Sequence, residues 1–265
     1  MKVIDCHVHC FPDDIAGKAV DKLTNAYVIT PSFDGTVQGL LRQMSAEGIE
    51  ASVILPVATK ASQVHDINDW SASIQSERII AFGAIHPDYP EPAEEIDRML
   101  AMGIRGIKLH PNWQGFRPDD PRMFQIYEAV KGRMVICFHA GDELGSWTEL
   151  LSTPKALASL HKRFPDLKMV AAHMGGYRMW DEAEEYLIGT DVYLDTSACF
   201  PEDLPDERFV SLIRAHGAEK ILFGSDSPCG PPIDQLERFL SLPLTDEEKE
   251  LICWKNARRL LRLDE

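Results

Sequence analysis

The sequence predicts a (β/α)8 barrel, and three observations carry that prediction. Eight short apolar runs recur along the 265 residues, amphipathic stretches of helical period lie between them, and six of the nine histidines fall at the C-terminal ends of the runs. The runs cover residues 3–7, 51–57, 79–86, 104–110, 134–139, 167–173, 191–197 and 220–226. Most are nearly continuous in apolar residues, the pattern of parallel strands buried on both faces. Strict alternation of strand and helix implies a parallel sheet. Eight such units suit a single closed barrel over residues 1–265, because that fold uses about 250 residues as one domain. A doubly wound open sheet is the alternative.

The helical stretches carry their own start and stop signals. Residues 92–103 (PAEEIDRMLAMG) and 121–132 (PRMFQIYEAVKG) open on proline and close on glycine. Residues 36–48 and 154–164 have the same amphipathic period. The tail, residues 245–261, reads as a closing helix with Leu251 and Trp254 on its packed face. The longest connection runs from Cys10 to about Asp34, and at that length it is expected to be a functional loop over the barrel mouth. No linker or low-complexity stretch interrupts the chain.

Composition narrows the function. A net charge of −15 repels nucleic-acid phosphates and anionic membranes, so neither is an expected partner. A small-molecule substrate is expected instead, and a homo-oligomer is compatible with the sequence. No apolar run reaches the roughly 18 residues of a membrane span. The first ten residues, MKVIDCHVHC, do not have the form of a signal peptide, and the cytoplasm is the expected location. The six cysteines form no C-x-x-C pair and no disulfide framework. They read as reduced thiols packed as small hydrophobes.

His7, His9, His86, His110, His139 and His173 end predicted strands, and the C-terminal ends of the strands are the active face of this fold. Six imidazoles at one mouth point to a metal or proton-transfer site. His7 and His9 are two apart on one strand, about 6.6 Å between Cα atoms, and so face the same way. Alternation also aims Asp5 inward, one layer deeper, and turns Cys6 and Val8 toward the helices. His139 ends the fifth strand, His173 the sixth and Asp226 the eighth. Imidazoles with one carboxylate suit Zn²⁺, with Mn²⁺ or Fe²⁺ as alternatives. The competing reading of Asp226 is a turn residue before Pro228.

Taken together, His7-Val8-His9, His139 in CFHAGDE, His173 in AAHMGG and Asp226 in FGSDSP resemble the amidohydrolase superfamily of metal-dependent hydrolases. The order of the motifs and the short first strand are most similar to its amidohydrolase-2 branch, which includes aminocarboxymuconate-semialdehyde decarboxylase. The resemblance covers nearly the whole chain. It implies that His7, His9, His139 and Asp226 hold the metal and that His173 contacts the attacking water or the substrate. Branch members include hydrolases of C–N and lactone bonds, decarboxylases and a hydratase.

Lys108, in IRGIKLHP, departs from the decarboxylase pattern. Other branches carry a carboxylated lysine on that strand, bridging two metals about 3.5–4 Å apart. The expectation here is one ion and an unmodified lysine that touches substrate or supports the ligands. His110 shares the face of Lys108 and is a candidate substrate contact. Trp113, Arg117 and Arg178 lie on the same side, the arginines as candidate carboxylate clamps and Trp113 as a pocket wall beside Phe116, Tyr177 and Trp180. The alternative for each is loop packing or a solvated surface. Gly175 and Gly176 are anion-site candidates or a tight turn, and His86, Asp142 and Glu143 are candidate supporting residues.

The expected reaction is metal-assisted hydrolysis of a small amide, lactone or ester, with Asp226, His173 and Lys108 as catalytic groups. The alternative is non-oxidative decarboxylation of a small aromatic or unsaturated acid. A glycosidase would need a carboxylate pair, Asp142 or Glu143 with Asp226, and would leave the histidines idle. A non-catalytic metal-binding barrel would not need titrating groups from five strand ends.

Overall fold

The apolar runs become the staves of a parallel barrel in the computed structural model, which describes residues 1–27, 30–143, 147–230 and 232–263. β1 (Ile4–Val8), β2 (Ala51–Ile54) and β3 (Ile79–Ala81) pair in that order. β4 (Gly83–Ala84), β5 (Gly106–Leu109), β6 (Val135–Phe138), β7 (Lys168–Ala171), β8 (Tyr193–Asp195) and β9 (Ile221–Leu222) follow as a second series. β3 and β4 are one stave interrupted at Phe82, whose N–H still reaches Ile54 O at 2.9 Å. All the strand pairs are parallel.

Closure comes where the first stave meets the last. Val8 bridges Ser227 in parallel. Cys6 N–H donates to Phe223 O at 2.8 Å, His9 N–H to Ser227 O at 2.7 Å, and Asp226 N–H to His7 O at 2.8 Å. A doubly wound sheet leaves two free edges, and here those edges are joined, so the barrel is the fold.

One buried cluster draws residues from nearly every stave: Ile4, Cys6, Val53, Ile80, Val135, Cys137, Val170 and Leu222. Such a set can meet only inside the barrel. Cys6 therefore faces inward, not toward the helices as simple alternation implies. The cause is a register shift in β1 between Asp5 and Val8, where one extra residue on the strand breaks the period of two. Val8 does pack outward, against Leu40 and Met44 of the helix Val37–Glu47. Asp5 accepts from Ser225 N and Ser225 Oγ, at 2.9 and 2.5 Å, rather than from the histidines' ring nitrogens.

The helices end as their sequences specify. Thr36 accepts from Gly39 N and Gly48 closes the same helix in the left-handed region. Two parts differ from expectation. The long first connection, expected to be a loop, is mostly the helix α1 (Asp13–Tyr27). In the tail, Ile252 and Cys253 are fully buried while Leu251 and Trp254 are half-buried. A π-helical turn over Leu251–Lys255 rotates the helix face there. Beyond it Ala257 and Leu261 join the interior cluster and plug the barrel.

His216 offers a stability test remote from the mouth. Its Nε2–H donates to Val192 O at 2.9 Å and its Nδ1 accepts from Gly189 N at 3.1 Å. Burial pushes its pKa from 6.5 down to about 4. The folded value lies below the unfolded one, so the stabilisation is complete above pH 6.5 and is lost as pH falls toward 4. That loss is about 3 kcal/mol. Urea denaturation at pH 7 and 4.5 is expected to show it, and His216→Gln is expected to flatten that part of the pH dependence. An ordinary imidazole titration of His216 by NMR would contradict the assignment.

Candidate metal centre

Staves β1, β5, β6, β7, β8 and β9 deliver the polar groups at the barrel mouth. Among the described residues, three sets of side chains lie close enough to share a cation: His7, His9 and Asp226; His7, Cys137 and Asp195; and His110, His139 and Glu143. Their geometry separates them. In the second set His7 Nδ1 already donates to Asp195 Oδ2 at 2.9 Å, and burial pushes the Cys137 thiol up to about 12, so no thiolate is on offer. In the third set the rings of His110 and His139 stack at 4.2 Å and 6°. An imidazole lone pair lies in the ring plane, and two parallel stacked planes cannot both contain one ion.

The first set fits. The rings of His7 and His9 are 5.3 Å apart and inclined at 70°. His7 Nδ1–H is held by Asp195, and His9 Nδ1–H donates to Leu55 O at 2.9 Å. Both Nε2 atoms therefore keep their lone pairs, and both face Asp226 Oδ1, at 3.4 and 3.3 Å. Two lone pairs and a carboxylate oxygen repel one another unless a positive charge sits among them. Outer nitrogens fixed by a carboxylate and a carbonyl are the usual support of metal-binding imidazoles. Burial, followed by the Lys108 charge, holds His7 neutral with a pKa of about 4. Burial alone would raise Asp226, but His7, His9 and His173 outweigh it and the carboxyl lies below its usual range.

His139 has the complementary arrangement. Its Nε2 faces two acceptors, Asp142 O at 3.1 Å and Glu143 Oε2 at 3.2 Å. Nε2 must therefore carry the hydrogen, and Nδ1 keeps its lone pair. Burial holds this ring well below the ordinary imidazole range. His173 Nε2 lies 3.2 Å from this Nδ1 and His173 Nδ1 lies 3.1 Å from Ser197 O, and the His173 ring stacks on His7 at 5.1 Å. His173 Nδ1 lies 2.9 Å from Ser197 Oγ, and Trp180 Nε1 donates to the His173 carbonyl at 3.0 Å.

The backbone is unusual at the same places. His173 has φ 59° and Asp226 has φ 67°, a left-handed conformation that costs a side-chain-bearing residue free energy and concentrates at functional sites. Gly141 is required for another reason. A Cβ there would lie 2.2 Å from Tyr177 N, so only glycine lets the loops after β6 and β7 touch.

The remaining candidates scatter. Lys108 is 1% exposed, with Nζ 3.1 Å from His7 Nε2. His110 lies beside the site, its Nε2 3.1 Å from Glu143 Oε2. Trp113 meets the His110 ring edge-on at 6.2 Å, under Lys22 of α1. Arg117 pairs with Asp119 and Glu149 and Arg178 with Asp203, both about half-exposed, so each guanidinium is already engaged by carboxylates. Phe116 and Trp180 are buried packing residues. Met174 and Gly175 turn left-handed after His173, which makes this glycine pair a tight turn. His86 is taken up by its own loop, accepting from Asp88 N at 3.1 Å. Asp195 and Ser197 were not picked out by the sequence patterns. The signal for Asp195 was available, since it lies near the C-terminal end of the seventh run, two residues before Ser197.

A family model described as Amidohydrolase matches residues 4–263. The chain belongs to that family. No curated protein sequence matches it. Among solved structures, this amidohydrolase is similar to an uncharacterized TIM-barrel protein from Bordetella bronchiseptica, with TM-score 0.76 and 21% identity over 99% of each chain. It is also similar to a dihydroxybenzoic acid decarboxylase from Polaromonas with bound manganese, with TM-score 0.72 and 17% identity over 100% of this chain and 98% of that one. A third is described as a 2-pyrone-4,6-dicarboxylic acid hydrolase from Pseudomonas putida, with TM-score 0.70 and 16% identity over 100% and 98%. At these identities the likeness shows the shared barrel. No helix among the described residues is long and apolar enough to cross a membrane.

Proposed function

We propose that this amidohydrolase is a metal-dependent hydrolase of a small-molecule amide, lactone or ester, with Zn²⁺ as its ion. The observation that supports this most directly is the pair of Nε2 lone pairs of His7 and His9 aimed at one oxygen of ionised Asp226. Those three residues, with His139 through Nδ1, would hold the ion. When bound, a divalent cation supplies Lewis-acid polarisation of a substrate carbonyl.

The chain's own groups do the rest. Asp226 accepts the proton of the attacking water at its carboxylate. His173 holds a proton at Nε2 and passes it to the leaving group. Asp195 and Leu55 O keep His7 and His9 in one tautomer, so their orientation costs nothing at the moment of reaction.

A second reading, decarboxylation of a small aromatic or unsaturated acid, is favoured by the buried Lys108 ammonium, a group suited to a substrate carboxylate. The manganese-bearing relative is a decarboxylase. One experiment separates the two. Protein loaded with Zn²⁺ or Mn²⁺ is offered lactones, N-acyl amines and hydroxylated aromatic carboxylates, and released acid is scored against released carbon dioxide. Acid release that stops on chelation and returns with the ion supports hydrolysis. Carbon dioxide supports the second reading, and turnover indifferent to chelation overturns both.

A further inference from the structure

We propose that the Lys108 ammonium is the resident cation of the metal-free site, standing in for the ion and setting how tightly an ion is held. The inference rests on the metal-dependent reading above and deepens it. Lys108 is among the largest fully buried side chains in the molecule. It projects from β5 into the barrel interior, where an unpaired charge is costly. Among the described residues its hydrogen-bond partners are His7 Nε2 at 3.1 Å and Cys137 Sγ at 3.7 Å. Neither is an anion.

The His7 contact decides the role. Asp195 fixes the hydrogen of His7 on Nδ1, so Nε2 accepts and the ammonium donates. That Nε2 lone pair is one of the two aimed at Asp226 Oδ1. Lys108 therefore spends its hydrogen bond on the same lone pair an ion would need. With no ion bound, the ammonium supplies the positive charge that the facing acceptors require. An incoming ion must break that bond and then sit next to a like charge. Lys108 thus stabilises the empty site and weakens the filled one.

A lysine acting as an anionic ligand after carboxylation would behave in the opposite way, and that contrast makes the test sharp. Lys108→Met keeps the length of the side chain and removes the charge. On protein stripped of metal, chelator competition with Zn²⁺ and with Mn²⁺ is expected to show Kd lower by about ten-fold or more in the variant. The melting temperature of the metal-free variant is expected to fall relative to wild type, while that of the ion-loaded variant holds or rises. Lys108→Gln provides the same comparison if the methionine variant does not fold. Stoichiometric binding by wild type with unchanged or weaker binding by the variant overturns the stand-in role alone. Absence of ion uptake by wild type and variants alike overturns the metal-dependent reading and this inference with it.

Discussion

A His7→Ala, His9→Ala double variant is expected to lose its ion and about three orders of magnitude or more of kcat/KM, since several kcal/mol of charge stabilisation go with the ion. Both rings offer Nε2 lone pairs to the same point, opposite Asp226 Oδ1. Removing them leaves a carboxylate and the distant His139, too few donors for a tight site. The barrel itself is expected to survive. The strand carrying both residues is held by backbone bonds to Phe223, Ser227 and Asp226, which do not depend on the side chains. Metal analysis alongside circular-dichroism melting checks both halves. Full occupancy in a folded double variant would remove these residues from the ligand set.

The second large effect is expected at His173. Its Nε2 contacts His139 Nδ1, its Nδ1 lies beside Ser197, and its carbonyl is fixed by Trp180. That placement suits a group that moves a proton next to the ion. His173→Asn is the better substitution, because asparagine tolerates the left-handed backbone at this position. Its kcat is expected to fall about 10²–10⁴-fold, the usual worth of general acid–base catalysis, with metal content unchanged. Metal loss equal to that of His9→Ala would make His173 a ligand instead.

The barrel was legible because its physics is periodic. Buried parallel strands must be apolar on both faces, and each of the eight runs contains a stave. Irregularities were not legible. The extra residue in β1 reverses the direction of Cys6 without changing its identity, and alternation has no means of registering that. α1 was passed over because the length of the first connection was read as a loop, although its residues have a helical period. Among the site residues, imidazoles stood out because histidine is scarce and they fell at the C-terminal ends of the apolar runs. Asp195 was passed over as one carboxylate in a chain with 42 acidic residues, and its contact with His7 distinguishes it.

The joining of the first and last staves also orders events in time. His7 and His9 leave the ribosome early, while Asp226 and the edge that pairs with Val8 come more than two hundred residues later. At about 5–20 residues per second, the histidines wait roughly 10–45 seconds for the partner that completes their pocket. During that interval a nascent chain has two exposed imidazoles but no cage, and β1 has a free edge with no neighbour on one side. On the metal-dependent reading proposed above, an ion would find all its ligands only once the last stave has joined the first. A product lacking the final stave would carry the signature His-Val-His without the carboxylate that faces it.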